Sequence, residues 1–311
     1  MRTPLVVIVG PTAVGKTALS LRVGQTFAGE IISADSRQIY RKLDIGTDKV
    51  SAAQRDLVPH HLIDTLEPDE VMTLAEFQAR AFKTIDLIHQ RQHVPFLVGG
   101  TGQWVWSVVE GWGIPKVAPD PVLRAELETE ANQLGSENFH AKLAAVDPPA
   151  AQKLDPRNVR RVIRALEVYY KTGVPISEHQ HKTPPPYQTL IIGLTRPREA
   201  LYKRIDQRIE EMMAEGLVQE VETLVAQGYG WDLPAMSGLG YRQIGQYLQG
   251  DVTLEEAVAL IKKETRRFVR QQYNWFRIAD PRIEWFDINS GTEEAYSRVQ
   301  QFLIKPQTST G

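Results

Sequence analysis

Gly10-Pro11-Thr12-Ala13-Val14-Gly15-Lys16-Thr17 fits the pattern G-x-x-x-x-G-K-[ST], and its setting decides the fold. Leu5 to Val9 before it is a short continuous apolar run rich in β-branched residues, the signature of a strand buried on both faces. After it, Thr17 to Phe27 has helical patterning. A strand, a glycine-bounded turn and a helix in that order make a phosphate-binding loop. Gly10 and Gly15 let the backbone curl so that N–H groups point inward at phosphate oxygens, and the helix adds the positive end of its dipole. Lys16 is placed to neutralise phosphate, and the Thr17 hydroxyl to ligate a magnesium ion. An accidental glycine turn would not carry the whole pattern in this context. The loop alone names no reaction, because hydrolases, small-molecule kinases and other transferases share it.

Working outward, short apolar runs recur at Glu30–Ala34, Pro95–Val98, Leu190–Leu194 and Glu284–Ile288, with helical patterns such as Leu74–His89 between most of them. Between about Pro115 and Tyr187 the strand signals give way to amphipathic segments, Pro121–Leu134, Glu137–Val146 and Pro156–Thr172. Proline-rich stretches, Ile114–Pro121 and His181–Pro186, border that region. The pattern predicts an α/β fold: a P-loop NTPase-like parallel sheet core with an inserted all-helical domain. The core takes residues 1–114 and 188–311, with C-terminal helices, and the insertion residues 115–187.

The 311 residues, 42% hydrophobic and 24% charged, fall in the ordinary globular range. No run approaches the roughly 18 apolar residues of a membrane span, and MRTPLVVIV lacks the features of a secretory signal, so a cytoplasmic protein is expected. The chain has no cysteine, which excludes disulfides, thiolate metal sites and cysteine nucleophiles. A formal charge of -2 gives no global signal for a polyanionic partner, so any such signal must come from local clusters of arginine.

In a doubly wound sheet, ligands sit beyond the carboxyl ends of the strands. The strand Glu30–Ala34 runs into Asp35-Ser36-Arg37-Gln38, and Pro95–Val98 into Gly99-Gly100-Thr101-Gly102-Gln103, so both sets should converge on the phosphate loop. Asp35 is a candidate general base or metal ligand, and Thr101 a donor toward an oxygen carrying developing charge. The plainer alternatives are a helix cap at Asp35 or Ser36 and a glycine-rich turn at Gly99–Gly102.

GPTAVGKT (10–17), ADSRQIY (34–40), DIGTDK (44–49), HHLID (60–64) and VGGTG (98–102) together resemble the bacterial tRNA dimethylallyltransferases, also called tRNA isopentenyltransferases. RRVIRALEVY (160–169), the stretch 193–221, GLGYRQI (238–244) and TRRFVRQQYNWFR (265–277) extend the resemblance over nearly the whole chain. It implies transfer of the dimethylallyl group of dimethylallyl diphosphate to N6 of adenosine 37 in tRNA, with diphosphate leaving. By motif, residues 10–17 would hold the diphosphate with Mg2+, Asp35 would take the N6 proton, and Thr101 would sit at the reacting centre. Arg242 would join Lys16 on the diphosphate. Asp35, Ser36, Arg37 and Gln38 would contact the target adenine and its neighbours. Eukaryotic relatives carry a zinc-finger extension, so a chain without cysteine resembles the bacterial type.

A base flipped from an anticodon loop needs a basic surface to grip the backbone around it. Arg157, Arg160, Arg161 and Arg164 make a stripe opposite Val159, Val162, Ile163 and Leu166, and the resemblance assigns Arg160 to Arg164, including Val162 and Ile163, to tRNA contact. It assigns Arg124 likewise. A second stripe, Lys263, Arg267, Arg270 and Arg277, runs beside Tyr273, Trp275 and Phe276, whose expected role is packing. A solvated helix face is the commoner reading of either stripe alone. His60-His61 reads as structural, since neighbouring side chains point apart and no third ligand stands at a matching spacing. The rival activities are prenylation of free adenine nucleotide, which needs no insertion, and a small-molecule kinase; a non-catalytic RNA-binding switch is the third alternative.

Overall fold

The computed structural model describes residues 3–304. In chain order the elements are β1 (Thr3–Val9), α1 (Lys16–Thr26), β2 (Gly29–Ser33), α2 (Ala52–Leu57), β3 (His60–His61), α3 (Leu74–Gln90), β4 (Val94–Gly99) and α4 (Gly102–Val109). Helices α5 (Pro121–Leu134), α6 (Ser136–Val146), α7 (Pro148–Lys153), α8 (Val159–Thr172) and α9 (Ile176–His179) follow. The chain then returns through β5 (Tyr187–Thr195), α10 (Arg198–Glu215), α11 (Leu217–Ala226), α12 (Tyr241–Leu248), α13 (Leu254–Trp275), β6 (Ile283–Asp287) and α14 (Thr292–Ile304). None of the described helices is long and apolar enough to cross a membrane.

The strands form one parallel sheet in the order β3-β2-β4-β1-β5-β6. Leu5 to Val9 are wholly buried, as a strand covered on both faces requires. Because β1 lies between β4 and β5, with β2 beyond β4, the carboxyl ends of β1, β2 and β4 are neighbours. Two of them touch: a Cβ on Gly99 would lie 2.2 Å from the Ala34 carbonyl oxygen, so only glycine lets β4 leave the sheet beside β2. At the opposite end of β2 the buried Glu30 accepts from Arg91 (2.9 and 2.7 Å) and lies within 2.7 Å of His61 and His93. Burial pushes this carboxyl up, but the hydrogen bonds from Arg91, His61 and His93 outweigh it and hold it at about 2. The His60-His61 pair forms the edge strand β3, with the His60 ring on the Val58 carbonyl (2.7 Å).

The chain divides into two compact units, one of residues 1–72, 76–109 and 186–311, the other of residues 73–75 and 110–185. The second is helical. Its core gathers Leu127, Phe139, Leu143, Val162, Ile163 and Leu166 from α5, α6 and α8. α7 escapes a reading by pattern because Pro148 and Pro149 look like breakers; they occupy the first helical positions, where no N–H donor is needed, and the Asp147 carboxylate caps the Ala150 N–H at 3.0 Å. α8 begins at Val159 rather than Pro156. Asp155 takes the Arg157 N–H (2.9 Å) and its carbonyl takes the Asn158 N–H (2.9 Å), so a turn precedes the helix.

Candidate active site

The phosphate loop leaves β1 at Gly10, whose φ of 144° places it where a side chain is strained and where a Cβ would meet the Leu194 oxygen at 2.5 Å. Pro11 and Val14 turn into the protein and are buried, whereas Thr12, Ala13, Gly15, Lys16 and Thr17 line a cavity of about 440 Å³. Lys16 Nζ donates to the carbonyls of Gly10 (3.0 Å) and Pro11 (2.8 Å). Burial lowers its ammonium pKa to about 8, against the attraction of Asp35 and with the repulsion of Arg208. Thr17 follows directly on Lys16 in the first turn of α1.

A second cavity of about 430 Å³ is lined by Ser36, Arg37, Thr101 and Arg242, and by an apolar wall from Ile205, Ile209, Met212, Leu239, Ile261 and Phe268. Thr12, Ala13, Asp35, Thr47, Asp48 and Arg208 line both cavities. Asp35 and Thr12 therefore stand where the phosphate cavity meets the partly apolar one. Among the described residues the Asp35 carboxylate is bonded through Oδ1, which accepts from the N–H groups of Arg37 (2.9 Å) and Gln38 (3.4 Å). A turn cap and a chemical role are thus compatible in one side chain. Thr101 Oγ1 accepts from the Ser36 N–H at 3.1 Å and lies 3.4 Å from Ser36 Oγ, which joins the ends of β2 and β4.

The other predicted residues separate. Arg37 donates to Ser237 Oγ (3.2 Å) and to the Pro234 carbonyl, and burial lowers its pKa. Gln38 Nε2 donates to the Thr47 and Asp48 carbonyls, 3.1 Å each, and so serves the loop beside it. Arg242 is exposed and lines the cavity of Thr101, not that of Lys16 and Thr17. The cation beside the phosphate loop is Arg208 of α10, which sequence reasoning missed. Its Nη1 lies 3.1 Å from Thr12 Oγ1, its guanidinium pairs with Asp48, and burial lowers its pKa to about 10.

The DIGTDK segment is explained by what holds it. The Glu220 carboxylate of α11 accepts from three successive backbone N–H groups, Asp44 (3.0 Å), Ile45 (2.8 Å) and Gly46 (3.2 Å), and from Tyr241 Oη (2.5 Å). Lys49 below it donates to the Tyr40 carbonyl and to Asp64 of HHLID, 2.7 Å each. These bonds fix the loop that carries Thr47 and Asp48 into both cavities, with Asp48 itself left-handed at φ 49°.

In the helical unit, Glu167 is fully buried and accepts from Arg124 (2.8 Å twice), Arg164 (2.5 Å) and the Asp120 N–H (2.8 Å). Burial raises its pKa and these donors outweigh that, lowering it overall. Arg164 also donates to the Val117 carbonyl at 3.0 Å. The Val162 and Ile163 side chains lie in the core, and Arg157 binds Asp155 at 3.0 and 2.7 Å. Arg160 and Arg161 are exposed. In the first unit, Lys263, Arg267, Arg270 and Arg277 are exposed along α13 and just beyond it. Phe276 is buried and Tyr273 Oη bonds Thr195 Oγ1 (3.0 Å), as expected of packing aromatics, whereas Trp275, expected to pack with them, is 39% exposed.

Fold and site together define a phosphate-loop protein with one cavity at the loop, a second, partly apolar cavity beside it, and a carboxylate where the two meet. The family model described as IPP transferase matches residues 38–279, and the chain belongs to that family. It is 56% identical over 274 residues to the tRNA dimethylallyltransferase of Roseiflexus sp. (strain RS-1), covering 88% of this chain and 90% of the relative. With the tRNA dimethylallyltransferase of Herpetosiphon aurantiacus it shares 48% identity over 305 residues, 98% of this chain and 96% of the other. The crystal structure of the full-length tRNA isopentenylpyrophosphate transferase from Bacillus halodurans superposes with a TM-score of 0.72 at 41% identity, over 97% of each chain. A eukaryotic dimethylallyltransferase acting on tRNA superposes with a TM-score of 0.84 at 27% identity, over 97% of this chain and 79% of that one.

Proposed function

We propose that this chain transfers the dimethylallyl group from dimethylallyl diphosphate to N6 of adenosine 37 in cytoplasmic tRNA, giving N6-(dimethylallyl)adenosine and diphosphate. The observation that carries the reading is the junction of the two cavities at Thr12, Asp35 and Arg208, inside a chain of the IPP transferase family. Diphosphate in the Lys16 cavity and an adenine in the Thr101 cavity would meet at that junction, and the apolar wall suits the five-carbon tail.

The adenine N6 amine is a weak nucleophile because its lone pair is delocalised into the ring. In the step proposed, N6 attacks the allylic carbon C1, the C1–O bond to diphosphate breaks, and the N6 proton passes to Asp35, whose Oδ1 is held by two backbone N–H groups. As C1–O lengthens, charge collects on the leaving oxygens, where Lys16, Arg208 and the loop N–H groups stabilise it more than in the ground state. Thr101, fixed to Ser36, orients the reacting centre. Mg2+ fits this donor set: the Thr17 hydroxyl and phosphate oxygens are the sparse oxygen ligation that ion favours. Bound there, it would neutralise charge on the leaving diphosphate. Arg160 and Arg161 supply the exposed cations of the helical unit for the RNA backbone, with Arg124 and Arg164 building the surface that carries them.

Labelled dimethylallyl diphosphate incubated with an anticodon stem-loop carrying adenosines at positions 36 to 38, with AMP, or with neither, tests the proposal. Label should move to the stem-loop alone. Transfer to AMP but not to the stem-loop would contradict it.

A further inference from the structure

Gln272 belongs to no motif read for chemistry, yet its side chain is almost completely buried in α13 and makes two bonds to the site. Its Oε1 accepts from the Thr12 N–H at 3.0 Å, and its Nε2 donates to the Gly100 carbonyl at 3.1 Å. A backbone N–H can only donate and a carbonyl only accept, so these partners fix the amide's orientation. Thr12 is in the phosphate loop, and Gly100 immediately precedes Thr101. One side chain therefore spans the leaving-group holder and the turn that carries Thr101.

Two further facts show that this contact is built in. A Cβ on Gly100 would lie 2.2 Å from Gln272 Nε2, so glycine is required for the amide to approach. The Thr12 N–H is committed to Gln272 while its hydroxyl bonds Arg208 at 3.1 Å, so this residue faces the strut with its backbone and the cation with its side chain. The strut rises from a 22-residue helix, a rigid support.

We propose that Gln272 is a positioning residue: it sets the separation between the phosphate loop and the Thr101 turn and so aligns the donor carbon with the attacking amine. The alignment role rests on the activity proposed above; the bridge between the two loops does not. Without the amide, the Thr12 N–H and the Gly100 carbonyl lose their partners and both loops relax to find others. A misplacement of about 1 Å costs on the order of a hundredfold in rate with little effect on binding.

Gln272→Met keeps length and burial but removes both bonds, and Gly100→Ala displaces the amide from the other side. In each variant kcat with stem-loop should fall about ten- to hundredfold while the donor KM changes less than about threefold. The double variant should be no slower than the slower single, because both remove the same bridge. Hydrogen exchange gives a readout independent of turnover: in Gln272→Met, exchange should speed up in both the 10–17 and 99–103 segments. An unchanged kcat in folded Gln272→Met, multiplying effects in the double variant, or faster exchange in only one segment overturns the proposal. A wild-type protein that transfers nothing to the stem-loop overturns the proposed function instead, and the exchange result then decides the bridge by itself.

Discussion

The phosphate loop and the arginine helix α8 are both motifs in the sequence, and the folded chain treats them differently. In the loop, pattern dictates backbone: Gly10 sits where only glycine is unstrained, Lys16 folds over the carbonyls of Gly10 and Pro11, and the required Gly15, Lys16 and Thr17 all face the cavity. In α8, pattern dictates only composition. Of four arginines at or near helical spacing, Arg164 turns to the buried Glu167, Arg157 lies before the helix, exposed but paired with Asp155, and Arg160 and Arg161 are the exposed arginines of the helix itself. A motif that prescribes main-chain geometry transfers residue by residue, whereas a stripe of charge must be sorted by what each charge already touches.

Substitutions can sharpen or break this contrast. The largest effect is expected in the loop, where Lys16→Met should lower kcat about a hundred- to thousandfold, read in single-turnover transfer, because the lost cation acts on the leaving group. Next, Glu167→Ala should destabilise the helical unit by about 1–3 kcal/mol in urea unfolding, since it removes the buried acceptor of Arg124, Arg164 and the Asp120 N–H while the partly exposed arginines regain water. If Glu167→Ala instead left stability unchanged and weakened only tRNA binding, those arginines would belong with the RNA surface. Arg160→Ala and Arg161→Ala should each raise the tRNA KM by up to about tenfold and reduce the salt slope by about one, with stability intact.

The smallest effect is a proton. Lys16 titrates at about 8, so a rising pH removes its charge, and binding diphosphate restores it. Calorimetry of diphosphate binding at pH 8, in buffers of different ionisation enthalpy, should show uptake of about half a proton, and affinity should fall as pH rises further. No uptake would place the titrating group elsewhere.

The sheet's central strands were legible because they are continuous apolar runs, whereas the edge strand β3, only His60–His61, carries no such run and does not read as a strand; Asp35 and Thr101 were legible because a strand end in a doubly wound sheet is a place where ligands bind. Arg208 and Gln272 were not. Arg208 lies in a helix crowded with charge, among Lys203, Arg204, Asp206 and Glu210, where local pattern gives a solvated face; only the return of α10 to Thr12, 196 residues away, selects it. Gln272 carries no charge, and its two partners are backbone atoms, which no side-chain pattern records. Arg242, which the family resemblance joins to Lys16 on the diphosphate, lines the cavity of Thr101.

If Asp35 acts on the amine while the phosphate loop holds what departs, Asp35→Ala should separate the chemical step from binding. With wild-type and variant protein saturated in donor and stem-loop, single-turnover transfer should be slower by about a hundred- to ten-thousandfold in the variant, with tRNA affinity within about threefold of wild type. Normal transfer at saturation, combined with a large loss of tRNA affinity, would contradict it.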